Sequence, residues 1–181
     1  SSAPGDFSVG DDLSLASDSA VINFGADSEI KVTHVADTGL NIKHTATGDD
    51  KPIVLTLQTG ETDIQGNDVI GAINFQAPDE GTGTDAILVA AGIEAVSEGN
   101  FAADNNATKL SFKTGSSEEA AEKMSLSSAG NLSVSGGVTI TGDLTVSGDD
   151  ITMGTNTSGH IMVADGTNFN PVAVSGDVTI A

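Results

Sequence analysis

Apolar and polar residues alternate along this chain in short phrases: two apolar residues around one polar residue, then a turn built on Gly or Asp. Phe7-Ser8-Val9 gives way six residues later to Leu13-Ser14-Leu15. The same step of six links Leu132-Ser133-Val134, Val138-Thr139-Ile140 and Leu144-Thr145-Val146, and again Val172-Ala173-Val174 and Val178-Thr179-Ile180. Alternation of period two predicts strands with one buried face, and so short a step leaves no room for helices. Further alternating segments predict strands at Val21–Phe24, Ile30–Val35, 40–44 and 53–57. They are separated by Gly-Asp-Asp (10–12), Ala-Asp-Thr-Gly (36–39) and Thr-Gly-Asp-Asp-Lys-Pro (47–52). In such turns Gly admits positive φ, Asp bonds its own backbone and Pro presets φ. About ten residues per strand is the spacing of an all-β protein.

The middle of the chain differs. Val69-Ile70-Gly71-Ala72-Ile73-Asn74-Phe75 predicts a longer, more apolar strand, and residues 87–96 form the most hydrophobic run. Lys109-Leu110-Ser111-Phe112-Lys113 and Lys123-Met124-Ser125-Leu126 alternate cleanly. Helix signals gather only at 117–122: a Ser to cap, early Glu at the positive dipole end, then Ala. They predict a turn or two of helix. The pattern thus divides the chain into an N-terminal β stalk segment (1–60), a compact β-rich domain with its own core (61–130) and a C-terminal repetitive β stalk segment (131–181). In the last, turns fall at Ser135-Gly136-Gly137, Thr141-Gly142-Asp143 and 147–150, and a loop at 155–159 precedes Ile161 and Val163.

Composition turns this pattern into a question of assembly. There are 26 acidic residues against 6 basic ones, all Lys, for a net charge of −20. Such a surface repels nucleic-acid phosphates and anionic lipid, which argues against both as partners. No run approaches the roughly 18 apolar residues of a membrane span, so no membrane insertion is expected. Leu, Ile, Val and Phe make up about a quarter of the chain, little above the roughly 20% at which highly charged chains stay disordered. Trp and Tyr are absent and Phe numbers six. A single copy therefore has little burial with which to offset its conformational entropy. Strict alternation speaks against disorder, so the missing burial is expected from other copies.

Strands of three residues make ribbons that are marginal in water. In an intertwined homotrimer each phrase would supply one wall of a prism, its two apolar residues on a shared axis. A monomeric meander with two-residue turns, or a solenoid, is the alternative. The expected class is all-β: an elongated homotrimeric fibre with intertwined β-prism or triple β-helix stalk segments and one compact β domain. Residues 1–6 lack the basic and apolar regions of a signal peptide. The last phrase, Val178-Thr179-Ile180-Ala181, reads as if further repeats follow.

Candidate chemistry is sparse. Absence of Cys removes disulfides and thiolate sites and leaves the redox compartment open. His34, His44 and His160 are dispersed; His34 and His44 flank one turn and become neighbours only if their strands pair. No third ligand stands in register with them, so they read as surface or packed residues. Asp79-Glu80-Gly81-Thr82-Gly83-Thr84-Asp85 sets oxygen atoms at alternate positions but lacks the full calcium-loop pattern and its distal Glu. It reads as an acidic loop, with Ca²⁺ as the alternative. The Gly-Asp-Asp clusters at 10–12, 48–50 and 148–150 read as turns before ion sites. There is no nucleophile elbow and no carboxylate pair set in an apolar stretch. No catalytic residue, metal ligand or cofactor is expected, and the chain is not expected to be an enzyme.

Three segments carry a resemblance. They are Asn67-Asp68-Val69-Ile70-Gly71-Ala72-Ile73-Asn74-Phe75-Gln76-Ala77, Thr108-Lys109-Leu110-Ser111-Phe112-Lys113-Thr114, and the run from Glu122-Lys123-Met124-Ser125-Leu126 through Gly130-Asn131-Leu132. In this order they resemble the β domain of tailed-bacteriophage fibres, with its G-x-I-x-F, L-x-F-x-T and K/R-M-x-L/I-x-x-x-G-N-L/V strands. Gly142-Asp143-Leu144-Thr145-Val146-Ser147-Gly148 and residues 164–172 are similar to fibre-stalk segments of marine bacteriophages. Where that family continues with G-I-G-T, this chain has Ser133-Val134-Ser135-Gly136-Gly137. In the family such domains often precede a self-cleaving chaperone that trimerises the fibre.

The resemblance implies a structural and adhesive component of an extracellular virion tail fibre. Its partners would be two further copies, other tail or baseplate proteins, and a glycan or protein receptor on the host surface. A secreted bacterial adhesin or surface-filament subunit shares the same physics. A polysaccharide-degrading tailspike would need clustered acids among aromatic sugar platforms, and Trp and Tyr are missing. Recognition is expected on loops 77–86 and 98–107 of the compact domain, because exposed loops on a rigid frame carry binding. The candidate receptor contacts are Asp79, Glu80, Thr82, Thr84, Asn100, Phe101 and Asn105.

Overall fold

Hydrogen-bonded strand pairing, with very little buried interior, organises this chain. The computed structural model describes residues 9–77, 83–148, 151, 160–164 and 169–173. Among the described residues every regular element is a strand of an antiparallel sheet, apart from a 3₁₀ turn at Asp85–Ile87. The protein is all-β. It divides into two units, residues 1–135 and 136–181.

The first unit begins with a three-stranded sheet, β1 (Val21–Phe24), β2 (Ile30–Val35) and β3 (Gly39–His44), in chain order. Its turns use left-handed residues: Gly25 at φ +90° and Ser28 at 56° after β1, Asp37 at 56° after β2. These are the positions where Gly tolerates the conformation and Asp stabilises it locally. Across the sheet Ile22, Val32 and Ile42 stand in one row and Phe24, Ile30 and His44 in the next, all on one face. Asn23, Lys31 and Lys43 form a row on the other face. His34 pairs with Leu40, and His44 with Ile30. The strands do pair, yet the two His stand four residues apart along the sheet, about 14 Å.

A five-stranded meander follows: β4 (Val69–Gln76), β5 (Val89–Ser97), β6 (Thr108–Thr114), β7 (Ala121–Leu126) and β8 (Leu132–Val134), again in chain order. Its register sorts the residues completely. Ile73, Ile93, Phe112, Met124 and Val134 form one row; Gly71, Ala95, Leu110, Leu126 and Leu132 form a second on the same face. Phe75, Ala91, Thr114 and Ala121 form a third. The opposite face carries Ala72, Glu94, Ser111, Ser125 and Ser133, flanked by Lys109, Lys113 and Glu122. There Lys113 Nζ lies 2.7 Å from Glu94 Oε1 and Lys109 Nζ 2.6 Å from Glu122 Oε2.

Burial is inverted relative to an ordinary half-buried sheet, whose apolar face packs on a core. The polar face hides Ser111, only 2% exposed, and Ser125. The Lys109–Glu122 pair reaches across this serine row; Lys109, with help from the Ser125 and Ser111 hydroxyls, holds the Glu122 carboxyl below its ordinary pKa. On the apolar face Ile73, Phe75, Leu110, Leu126, Leu132 and Val134 are exposed, and Leu57 packs against Gly71. Among the described residues only Val96 and Ala120 are buried apolar side chains.

Several expectations need correction. No helix forms at 117–122, because Ala121 already belongs to β7 and the loop before it folds back on β5. The Ala120 N–H donates to the Val89 carbonyl at 2.8 Å and the Gly115 N–H to that of Ala90 at 2.9 Å. Six residues are too few for an isolated helix to compete with that pairing. Ser117 instead donates from its N–H and hydroxyl to Glu118, and the N–H bond is the main cause of that carboxyl's lowered pKa. No strand forms at 13–15, 53–57, 138–140 or 144–146. Each phrase alternates as a strand does, but among the described residues it has no strand partner. The predicted strands at 7–9, 174 and 178–180 lie partly or wholly outside the described residues. Leu132–Val134, whose phrase repeats like the stalk, pairs with β7, so the five-stranded sheet extends past residue 130.

In the second unit β9 (His160–Ala164) pairs antiparallel with β10 (Phe169–Ala173), setting Ile161 opposite Val172 and Met162 opposite Pro171. Pro is tolerated there because each strand of a two-stranded ribbon has a free edge.

Candidate functional site

The loop between β5 and β6, residues 98–107, sits on a hydrogen-bonded base at one end of the five-stranded sheet. The base begins with Ser97, the last residue of β5 and 1% exposed. Its N–H donates to the Asp68 carbonyl and its carbonyl accepts from the Asn67 N–H, both at 2.9 Å. Its hydroxyl donates to the Gln65 carbonyl and accepts from the Asp68 N–H at 3.0 Å. The Asp68 carboxylate closes the turn by accepting from the Gln65 N–H at 2.6 Å, and Asn67 turns the chain at φ 75°. A buried hydroxyl is stable only when so partnered.

The loop itself is stitched to this turn. The Phe101 N–H donates to the Ile64 carbonyl at 2.9 Å, and the Asn100 Oδ1 accepts from the Gly66 N–H at 3.1 Å. Gly66 and Gly99 let the two backbones approach; a Cβ on Gly66 would lie 3.5 Å from the Gly99 Cα. Ala102 and Asn105 exchange backbone bonds at 2.9 and 3.2 Å, forming a tight reversal at the tip. Asn105 spends its side chain inward: Nδ2 donates to the Asn100 carbonyl at 2.7 Å and Oδ1 accepts from the Ala107 N–H at 3.2 Å. Beside the loop, the Glu98 carboxylate accepts from the Ser128 N–H at 2.9 Å, tying the β7–β8 turn to the same end. The Ser128 hydroxyl and N–H together hold Glu98 below its ordinary pKa.

Ala102, Ala103, Asp104, Asn105 and Asn106 line a shallow, polar depression at the tip. The outward groups are the Asp104 carboxylate, the Asn106 amide and the Nδ2 of Asn100, which has no partner among the described residues. This is a rigid surface of donors and acceptors, suited to a polar ligand. Among the described residues no three His, Asp or Glu side chains converge as metal ligands would.

The expected receptor contacts separate into two groups. Asn100, Phe101 and Asn105 come together in the stitched loop, where Asn100 and Asn105 shape the backbone. Thr84 lies at the other end of β5, exposed beside the 3₁₀ turn, about 30 Å away by the length of that strand. There Gln76 Nε2 donates to the Ile87 carbonyl, bracing the turn against β4. Asp79, Glu80 and Thr82 lie outside the described residues. Thr84 and the 98–107 loop therefore do not belong to one site. The turn at 64–68 and the buried Ser97 were missed from sequence; Gly66-Asn67-Asp68 is a turn signal, but the sequence does not say that Ser97 closes over it. No family model matches this chain, and no curated protein matches it.

Proposed function

We propose that this chain is a structural and adhesive segment of a homotrimeric virion tail fibre, attaching the particle to a polar glycan or protein on a host surface. One observation carries the reading: strand-like apolar phrases stand without strand partners among the described residues of the single chain. Residues 53–57, 138–140 and 144–146 are such phrases, with Val54 71% and Leu144 68% exposed. A compact monomer of this mass exposes about 8,000 Å². This chain exposes 14530 Å². The difference is far more than one ordinary interface covers, since a standard interface buries about 800 Å² per partner. Copies of the same chain supply matching phrases along the whole length, so interleaving them satisfies backbone and apolar surface together.

Adhesion follows from repetition. Three copies present three stitched loops at 98–107, and weak single contacts add to strong attachment through effective concentration. A net charge of −20 keeps such particles from sticking to one another.

Mass measurement by light scattering on the intact chain tests this reading. Particles of three times 18.0 kDa, persisting on dilution and melting with concentration-dependent cooperativity, are the expected result. A single chain that melts cooperatively at all concentrations overturns it.

A further inference from the structure

The five-stranded sheet carries an apolar face that one chain leaves open. We infer that this face is where copies of the chain meet, with the serine and salt-bridge face turned to water and the 98–107 loop free at the sheet's end. The inference rests on the self-assembly proposed above and adds to it which surface is shared.

Charge placement is the first ground. The three rows on the apolar face contain no ionisable residue, in a chain with 26 acidic ones. All four charged residues with in-register partners in the sheet, Glu94, Lys109, Lys113 and Glu122, stand on the other face. Two strongly acidic molecules can therefore approach through this face without bringing like charges together. A partner chosen by charge complementarity would instead address the acidic surfaces elsewhere.

Area is the second. Five strands at about 4.8 Å spacing and about 20 Å long give a face of roughly 500 Å². Three such faces around a shared axis bury roughly 1,500 Å² in all, above the roughly 1,000 Å² at which a specific interface begins. Shape is the third: a 160 Å³ cavity is lined mainly by apolar residues, Leu57, Ile70, Ile73, Ile93 and Leu110 among them, with Glu94 from the opposite face also on its wall. It is room for an apolar side chain from outside. Continuity is the fourth, because the three-stranded sheet presents its own apolar rows, Ile22–Val32–Ile42 and Phe24–Ile30. Another copy brings an equal set of rows for both sheets.

The absence of Cys makes the test clean. Leu132 and Ser133 are adjacent and both exposed in the single chain, Leu132 at 65%, yet they point to opposite faces. Leu132→Cys and Ser133→Cys are each reacted with a maleimide, alongside mass measurement of both variants and the parent. The expected result is at least tenfold slower labelling at 132 than at 133 in the assembled particle, with the rates converging once dilute denaturant separates the chains. Loss of assembly in Leu132→Cys alone, with Ser133→Cys intact, supports the same assignment. Equal labelling rates in a three-chain particle overturn this assignment and leave the fibre reading standing. A parent that is a single chain, with both thiols fast, overturns both.

Discussion

Replacing Ser97 with Ala removes one oxygen atom from the base of the 98–107 loop and tests whether that base is what holds the loop in place. The hydroxyl makes two bonds, to the Gln65 carbonyl and from the Asp68 N–H. The loss is cushioned, because the Asp68 N–H also reaches the Gln65 carbonyl at 3.2 Å. One net hydrogen bond is worth about 1 kcal/mol, and a buried group left without a partner costs about 1–3 kcal/mol. With one of the two groups partly re-satisfied, Ser97→Ala should cost about 1–2 kcal/mol. In local opening this corresponds to roughly 5- to 30-fold faster exchange of the protected amides. The reporters are Asn67, Ser97 and Phe101, whose N–H groups bond Ser97, Asp68 and Ile64. The β6–β7 amides and a Ser133→Ala control, at an exposed position, should stay within twofold of the parent. Hydrogen exchange read by NMR or mass spectrometry measures both. If the three loop amides move by less than twofold, Ser97 does not anchor the loop. If every strand accelerates equally, the bond serves the whole sheet instead.

Two further outcomes follow from the same end of the molecule. Gly130 sits at φ +81° in the β7–β8 turn, a conformation that penalises a Cβ, so Gly130→Ala should destabilise by about 1 kcal/mol and Gly130→Asn by less. Thermal unfolding at fixed protein concentration checks this, and equal melting of the three proteins would refute it. Glu98 has its pKa lowered by Ser128, so it binds its proton less readily folded than unfolded. Its stabilising effect is present above the ordinary glutamate range and is lost as pH falls through the lower folded value. Glu98→Gln should therefore flatten the acid limb of the stability–pH curve and leave its neutral limb parallel to the parent's. An unchanged acid limb would show that the Ser128 contact contributes nothing.

The strands were legible wherever two conditions coincided: alternation in the residues and a partner nearby in the chain. Val21–Phe24, Ile30–Val35, Gly39–His44 and the runs that became β4 to β7 met both, with Asp37 marking the turn between the second and third. The phrases at 53–57 and 138–146 alternate just as well and form no strand within one chain, because alternation states which face is apolar but not what pairs with it. The helix expected at 117–122 failed for the converse reason. Its local signals were sound, but bonds from Gly115 and Ala120 to β5 outweigh six residues of propensity. For the candidate site, the 98–107 loop was expected as an exposed loop on the compact domain, yet only the folded chain shows Asn105 bonded inward and Thr84 remote from it.

By its residue order alone this chain specifies an all-β protein with sharply sorted faces and an acidic charge balance, while the core expected within 61–130 is not found: among the described residues only Val96 and Ala120 are buried apolar side chains. Sorted faces and charge balance are properties of period two and of composition, which need no third dimension. The tertiary structure decided the register, and register is a matter of which strand lies beside which. It placed Ile73, Ile93, Phe112, Met124 and Val134 in one uncharged row, buried Ser97 and Ser111 instead of leucines, and left the apolar face open. Backbone hydrogen bonds between distant segments set that arrangement, and a one-residue slip would have turned every side chain to the other side.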